Sequence, residues 1–202
     1  LAIKGNKLIY VGKNSGVGNF NCGNSVVLDL KNSYVYPGFI DAHAHLKGIG
    51  YRELDLNLQG ADSLKSMLTQ VQIHSNKVQS GNWVVGRGWI EKKWPEARFP
   101  TLEELDAISV DKPIALERAD GHAIIVNSLA LQLAKIDRTT PDPIGGKIDK
   151  DKNGEPNGVL IDKASLLVES IIPKRSRLEE KVALKEGLYR TARMGWTQLH
   201  DA

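Results

Sequence analysis

The stretch that most constrains this chain covers residues 36–46, Tyr-Pro-Gly-Phe-Ile-Asp-Ala-His-Ala-His-Leu. Pro37-Gly38 marks a turn, Phe39-Ile40 is an apolar pair of the buried type, and the segment runs out in His43 and His45. Side chains of a strand alternate between faces, so His43 and His45 point one way and Ala42 and Ala44 the other. The two histidine Cα atoms then stand about 6.5–7 Å apart. From that spacing two imidazoles reach one ion at metal–nitrogen distances of about 2.0–2.1 Å. Asp41 falls on the same face and is expected to brace the site by accepting an imidazole N–H. Pairs spaced i, i+2 also occur in strands that bind nothing, so the context decides. Here the pair comes where the strand ends, the position at which parallel barrels place their chemistry.

Composition sets the outer bounds. The 202 residues are 41% hydrophobic and 25% charged with a net charge of +3, an ordinary globular balance that excludes disordered and collagen-like classes. Lysines and arginines are dispersed. The densest basic cluster, Lys174-Arg175-Ser176-Arg177, reads as a solvated helix start, so no nucleic-acid partner is expected. No apolar run is long enough for a membrane span. The single cysteine, Cys22, excludes an intrachain disulfide and suits a reducing compartment, hence an expected cytoplasmic location. The opening at Leu1, without Met and in mid-hairpin, leaves a leader segment open.

Along the chain, Ala2-Ile-Lys4 and Leu8-Ile-Tyr-Val11 flank Gly5-Asn6, a hairpin signal. Val26 to Leu30 and Tyr34 to Tyr36 are expected strands. Helical spacing over residues 63–79, with a stripe of Leu64, Leu68, Val71 and Val78, follows a short extended piece at Leu54 to Leu58. Trp83 to Gly86 and Pro113 to Arg118 read as buried strands, and Thr101-Leu-Glu-Glu104 as a capping box. Trp89, at a strand end, is a candidate pocket residue, with core packing as the alternative. His122 stands beside an Asp-Gly turn, where a loop presents side chains. Asn153-Gly154 predicts a hairpin. A calcium loop starting at Asp149 is excluded, because its twelfth residue is Leu160 where a bidentate Glu is needed. Ser176-Arg-Leu-Glu179 is a second capping box. It opens a helix with the stripe Leu178, Val182, Leu184, Leu188, Tyr189 and Ala192, stopped by Gly195. The strand Trp196 to Asp201 then ends in His200 and Asp201, which point to opposite faces.

Five segments in this order, PGFIDAHAHL, GRGWIEKKWPEARFPTLEELDAI, DKPIALERADGHAIIVNSLAL, TPDPIGGKIDKDKNGEPNGVL and MGWTQLHDA, resemble the amidohydrolase superfamily in its YtcJ-like branch. The resemblance implies an α/β fold: part of a composite β-sandwich over residues 1–36, then the first part of a (β/α)8 barrel over residues 37–202, stopping near the third strand. It implies His43 and His45 as metal ligands and His122 as a substrate-pocket residue; Asp41 behind the pair, and Trp89 and His200 in the pocket, are expected from their strand positions. It also implies one or two divalent ions, zinc by preference, and water-driven cleavage of carbon–nitrogen bonds in small amide or formamide-like substrates. The remaining ligands and the general base of the family pattern have no counterpart before residue 202, and a barrel alone takes about 250 residues. The chain by itself is therefore expected to be an inactive N-terminal portion. A small-molecule substrate is the expected partner, and self-association through exposed strand edges is expected. Two alternatives stay open at this point: a non-catalytic module with a vestigial histidine pair, and a ring deaminase.

Overall fold

The structure is a computed structural model that describes residues 1–202. It divides into two compact units, Leu1–Pro37 and Gly38–Ala202. In the first, β1 (Ala2–Lys4) and β2 (Lys7–Tyr10) pair antiparallel. Gly5, at φ +60°, makes their turn. After α1 (Asn14–Val17), Phe20 stacks on Tyr10 with ring centroids 4.9 Å apart. The strands expected at residues 26–30 and 34–36 do not form, and Val26, Leu28 and Tyr34 are 86%, 77% and 86% exposed. Alternation alone does not make a strand. Its backbone groups need a ladder partner, and no residue of these two segments joins a sheet.

The second unit opens with β3 (Phe39–Ala44), α2 (Leu46–Leu54) and β4 (Leu56–Asn57). There follow α3 (Leu64–Ser75), β5 (Val84–Trp89), α4 (Leu102–Asp106), β6 (Ile114–Arg118), β7 (Ala123–Val126) and α5 (Ser128–Leu133). The hairpin of β8 (Gly146–Lys150) and β9 (Pro156–Asp162) leads to α6 (Leu166–Glu169), α7 (Arg177–Arg193) and β10 (Trp196–Asp201). Local signals placed the starts well. Ser63 caps α3, and both capping boxes form, at Thr101/Glu104 and Ser176/Glu179.

Six strands make one mixed sheet in the order β4-β5-β6-β7-β9-β8. The first three run parallel and the rest antiparallel. Both faces are buried, which is why these strands read as continuous apolar runs rather than as alternation. Leu116, Ile125 and Val159 pack with Met67, Val71, Trp89 and Leu105 on one face. Ala115, Ile124, Val126, Leu160 and Ile148 pack with Leu131 and Val168 on the other. Each large apolar side chain fully buried here stabilises by about 1.5–3 kcal/mol. Asn127 locks the α5 end of the sheet. Its Oδ1 accepts from the Ile114 and Ala130 amides, and its Nδ2 donates to the carbonyls of Ser109 and Lys112.

The strand count differs from the sequence reading, which reaches about a third barrel strand. The hydrogen-bonded neighbour of β3 is β10, parallel to it in a separate two-stranded sheet. Strands β5 and β6 instead belong to the mixed sheet, between β4 and β7. The face of α7 that packs also differs. The expected stripe is largely exposed, with Leu178, Leu188 and Tyr189 at 71%, 53% and 56%. The buried residues are Ala183, Gly187 and Thr191, spaced i, i+4, i+8. The reason is close backbone approach to α2: a Cβ on Gly50 would lie 1.7 Å from the Ala183 carbonyl oxygen, and one on Gly187 2.4 Å from that of Leu46. Small residues decide this contact, and hydrophobicity does not.

Candidate metal centre

β3 and β10 run side by side and end together. The register sets Leu199 opposite Asp41 and Asp201 opposite Ala44, so the ends of both strands bring their polar residues to one place. Ala44 is buried while Ala42, His43 and His45 are exposed. His45 lies one residue past the strand, at φ −118° and ψ 77°, where the chain turns into α2. The two imidazoles stand edge to face with centroids 5.0 Å apart.

Three hydrogen bonds set this corner. The Ala202 amide donates to the Ala44 carbonyl at 2.9 Å. His45 Nδ1 lies 2.9 Å from the Ala202 main-chain oxygen, which only accepts, so Nδ1 is the donor in this contact and Nε2 is the ring nitrogen it leaves unengaged. The Leu46 amide donates to Asp201 Oδ1 at 2.6 Å, placing a carboxylate at the positive end of the nine-residue helix α2.

This arrangement fits a divalent ion. Two imidazoles on one tetrahedral ion, each bonded at about 2.0–2.1 Å, hold their centroids about 5 Å apart. An Nδ1–H given to a main-chain oxygen is the usual brace of a metal-binding histidine. No third His, Cys, Asp or Glu converges on the pair. A catalytic zinc takes three protein groups, of which this pair could supply two.

The other candidates fall in different places. Asp41 does not brace an imidazole: its Oδ1 accepts the His43 backbone N–H at 3.1 Å. A short carboxylate at i reaches the amide at i+2 more readily than a ring that extends away from it. The bracing acceptor is the main-chain oxygen of Ala202. Trp89 is not a pocket residue. It is fully buried, its Nε1 donates to the Leu116 carbonyl at 3.0 Å, and it packs against Trp94 and Phe99. A buried indole with its N–H satisfied is core. His200 falls level with Ala42 and His43 across the strand pair, is exposed, and lies 3.4 Å from Gln198 Nε2.

His122 lies elsewhere, in the β6–β7 turn, and makes no hydrogen bond or ring contact with the histidine pair. Its Nδ1 donates to Asp162 Oδ1 at 2.8 Å, and that bond, with the nearby carboxylate charges, raises its pKa above the ordinary histidine value. Beneath it, Arg118 grips Glu91 through two bonds of 2.8 and 2.7 Å and also bonds Asp120. Burial pushes the Glu91 carboxyl up, and the Arg118 pairing outweighs it and leaves the pKa lowered. Asp120 in turn accepts the His122 amide at 3.1 Å. Asp162, Glu91 and the capping role of Asp201 carry no local sequence signal beyond acidic residues at strand or turn ends.

The amidohydrolase family model Amidohydro_3 matches residues 26–201. YtcJ from Bacillus subtilis (strain 168), named as an amidohydrolase, is 41% identical over 74% of this chain and 28% of its own length. The N-substituted formamide deformylase of Arthrobacter pascens is 34% identical over 83% of the chain and 31% of its own length. The crystal structure of an uncharacterized metal-dependent hydrolase from Pyrococcus horikoshii OT3 shares the fold over 81% of this chain and 30% of that one, with a TM-score of 0.55 and 24% identity. The chain therefore spans about a third of the length of the relatives it matches. With the family model matching residues 26–201, most of its length, the chain belongs to the amidohydrolase family.

Proposed function

We propose that the full-length protein is a metal-dependent hydrolase of carbon–nitrogen bonds other than peptide bonds, acting on small amide or N-substituted formamide substrates. The observation that carries this reading is the strand-end pair itself: His43 and His45 have ring centroids 5.0 Å apart, and His45 Nδ1 is engaged by the Ala202 main-chain oxygen. Family membership supports the reaction class, and the formamide deformylase relative supports the substrate class. In a protein of the relatives' length, β3 and β10 begin a (β/α)8 barrel and residues 1–36 join a β-sandwich. A divalent ion, zinc by this reading, would supply Lewis-acid activation of water and of the scissile carbonyl. His43 and His45 would hold it through their imidazoles. Asp201 holds the first turn of α2 against the strand ends and so fixes the direction of His45.

The test is turnover of N-substituted formamides by the full-length protein and its His43→Ala variant. The expected result is hydrolysis by the parent and loss of at least about 10³-fold in the variant, together with its metal. Retained turnover at normal metal content in the variant would contradict the assignment.

A further inference from the structure

The ladder between β3 and β10 is irregular where the histidines begin. Leu199 stands opposite Asp41 and Asp201 opposite Ala44, so β3 carries one residue more than β10 over that interval. Such a bulge breaks the pairing locally and re-aims a side chain, and it falls on Ala42 and His43. Beyond it, β10 reaches β3 and α2 through Asp201 and Ala202. The Ala202 amide donates to the Ala44 carbonyl at 2.9 Å, His45 Nδ1 lies 2.9 Å from the Ala202 main-chain oxygen, and the Leu46 amide donates to Asp201 Oδ1 at 2.6 Å. Two neighbouring residues thus hold three consecutive ones. His45 gives α2 no side-chain cap, and Asp201 supplies the missing acceptor from across the strand pair. Asp201 and Ala202 are exposed, and hydrogen bonds that water can replace contribute little net free energy each. A two-stranded pair is marginal by itself. Docking of this strand end therefore depends on bond direction and not on burial, and His45 has its brace only while the end is docked.

We propose that Asp201 and Ala202 form a positioning clamp for His45, and that metal binding at the histidine pair is coupled to docking of this strand end. The coupling rests on the metal-dependent reading above. With the end docked, His45 Nδ1 is engaged and the ring direction is set, as a brace on a metal-binding histidine does. With the end undocked, the ring turns freely and a metal has to select one orientation from several. By linkage, the factor by which docking strengthens metal binding is also the factor by which bound metal strengthens docking. Asp201 is a positioning residue: it acts through the first turn of α2, with its Oδ1 as acceptor, so an amide oxygen in the same place serves as well. The nearest cation does not occupy it, since Lys47 is bonded to Glu180 at 3.3 Å. The mixed sheet stands outside the device, because none of its strands pairs with β3 or β10.

The experiment uses the full-length protein stripped of metal, with its Asp201→Ala and Asp201→Asn variants, and zinc alone as the probe. Zinc affinity is read by competition with a chromophoric chelator. Asp201→Ala is expected to weaken it by about 10–100-fold. Asp201→Asn should stay within about threefold of the parent, since its side-chain oxygen accepts the same amide. Equal protection of β5 to β9 in all three metal-free proteins shows that the variants are folded. In the parent, hydrogen exchange at the Leu46 and Ala202 amides should slow on zinc addition by a factor comparable to the affinity lost in Asp201→Ala. Parent-like zinc affinity in Asp201→Ala, or an Asp201→Asn variant as weak as Asp201→Ala, would overturn the clamp. Zinc bound by the parent without slower exchange at these two amides would overturn the coupling, and that comparison needs no variant. A folded parent that binds no zinc rejects the metal-dependent reading and the coupling with it. Zinc lost from His43→Ala alongside unchanged affinity in Asp201→Ala rejects only the clamp.

Discussion

The mixed sheet and the β3–β10 pair are built on opposite principles. The sheet is sealed on both faces by large apolar side chains, with Trp89, Leu116, Ile125 and Leu160 at 1% exposure or less. The strand pair that carries the histidines keeps Phe39 and Ile40 at 49% and 58% exposure. It is held instead by main-chain bonds to Ala202, a carboxylate on α2 and the close contact of α2 with α7. The sheet is stabilised by burial of large side chains, whereas the histidine corner is held by hydrogen bonds and close backbone contact. Substitutions in each region should therefore behave differently.

The largest effect is expected from Arg118→Met, which leaves Glu91 buried without its partner and should destabilise by about 3–5 kcal/mol, read by urea denaturation. The same pair sets an acid dependence. The folded-state pKa of Glu91 is lowered, so its contribution is complete above its unfolded value of about 4.3 and is lost as pH falls through the lower folded value. Arg118→Met should remove that acid sensitivity, and an unchanged acid limb would break the assignment to this pair.

Gly50→Ala comes next. Its methyl group meets the Ala183 carbonyl oxygen, so α2 and α7 must part, at a cost of about 3 kcal/mol. Hydrogen exchange should show faster exchange in α2 and α7 while β5 to β9 keep their protection. Equal loss in both regions would mean that the two are one cooperative block. Asn127→Ala is the converse, removing a buried side chain with four hydrogen bonds, and should cost about 2–3 kcal/mol. Its effect should appear in β6, β7 and α5 and leave the histidine corner protected.

The same contrast explains what could be read from the sequence. Elements around the mixed sheet were legible because their signals are local: capping at Thr101, the Asn153-Gly154 hairpin, and apolar runs at β5 and β6. The histidine spacing was legible because His43 and His45 stand two residues apart where β3 ends. What supports it was not, since Ala202 and Asp201 meet His45 and Leu46 from more than 150 positions away. The face of α7 was misread for a related reason. Hydrophobic periodicity finds the greasy stripe, whereas Gly50, Ala183 and Gly187 pack because they lack bulk. Trp89 was ambiguous because a tryptophan at a strand end looks alike in a pocket and in a core. Its N–H bond to Leu116 decides for the core.

The most direct test of the central claim is the metal content of the full-length protein, parent against His43→Ala and His45→Ala, by elemental analysis. One or two zinc-like ions per parent chain, lost at least in part from each variant, is the expected result. Equal metal in all three proteins, or none in a folded parent supplied with zinc, would show that His43 and His45 are not ligands.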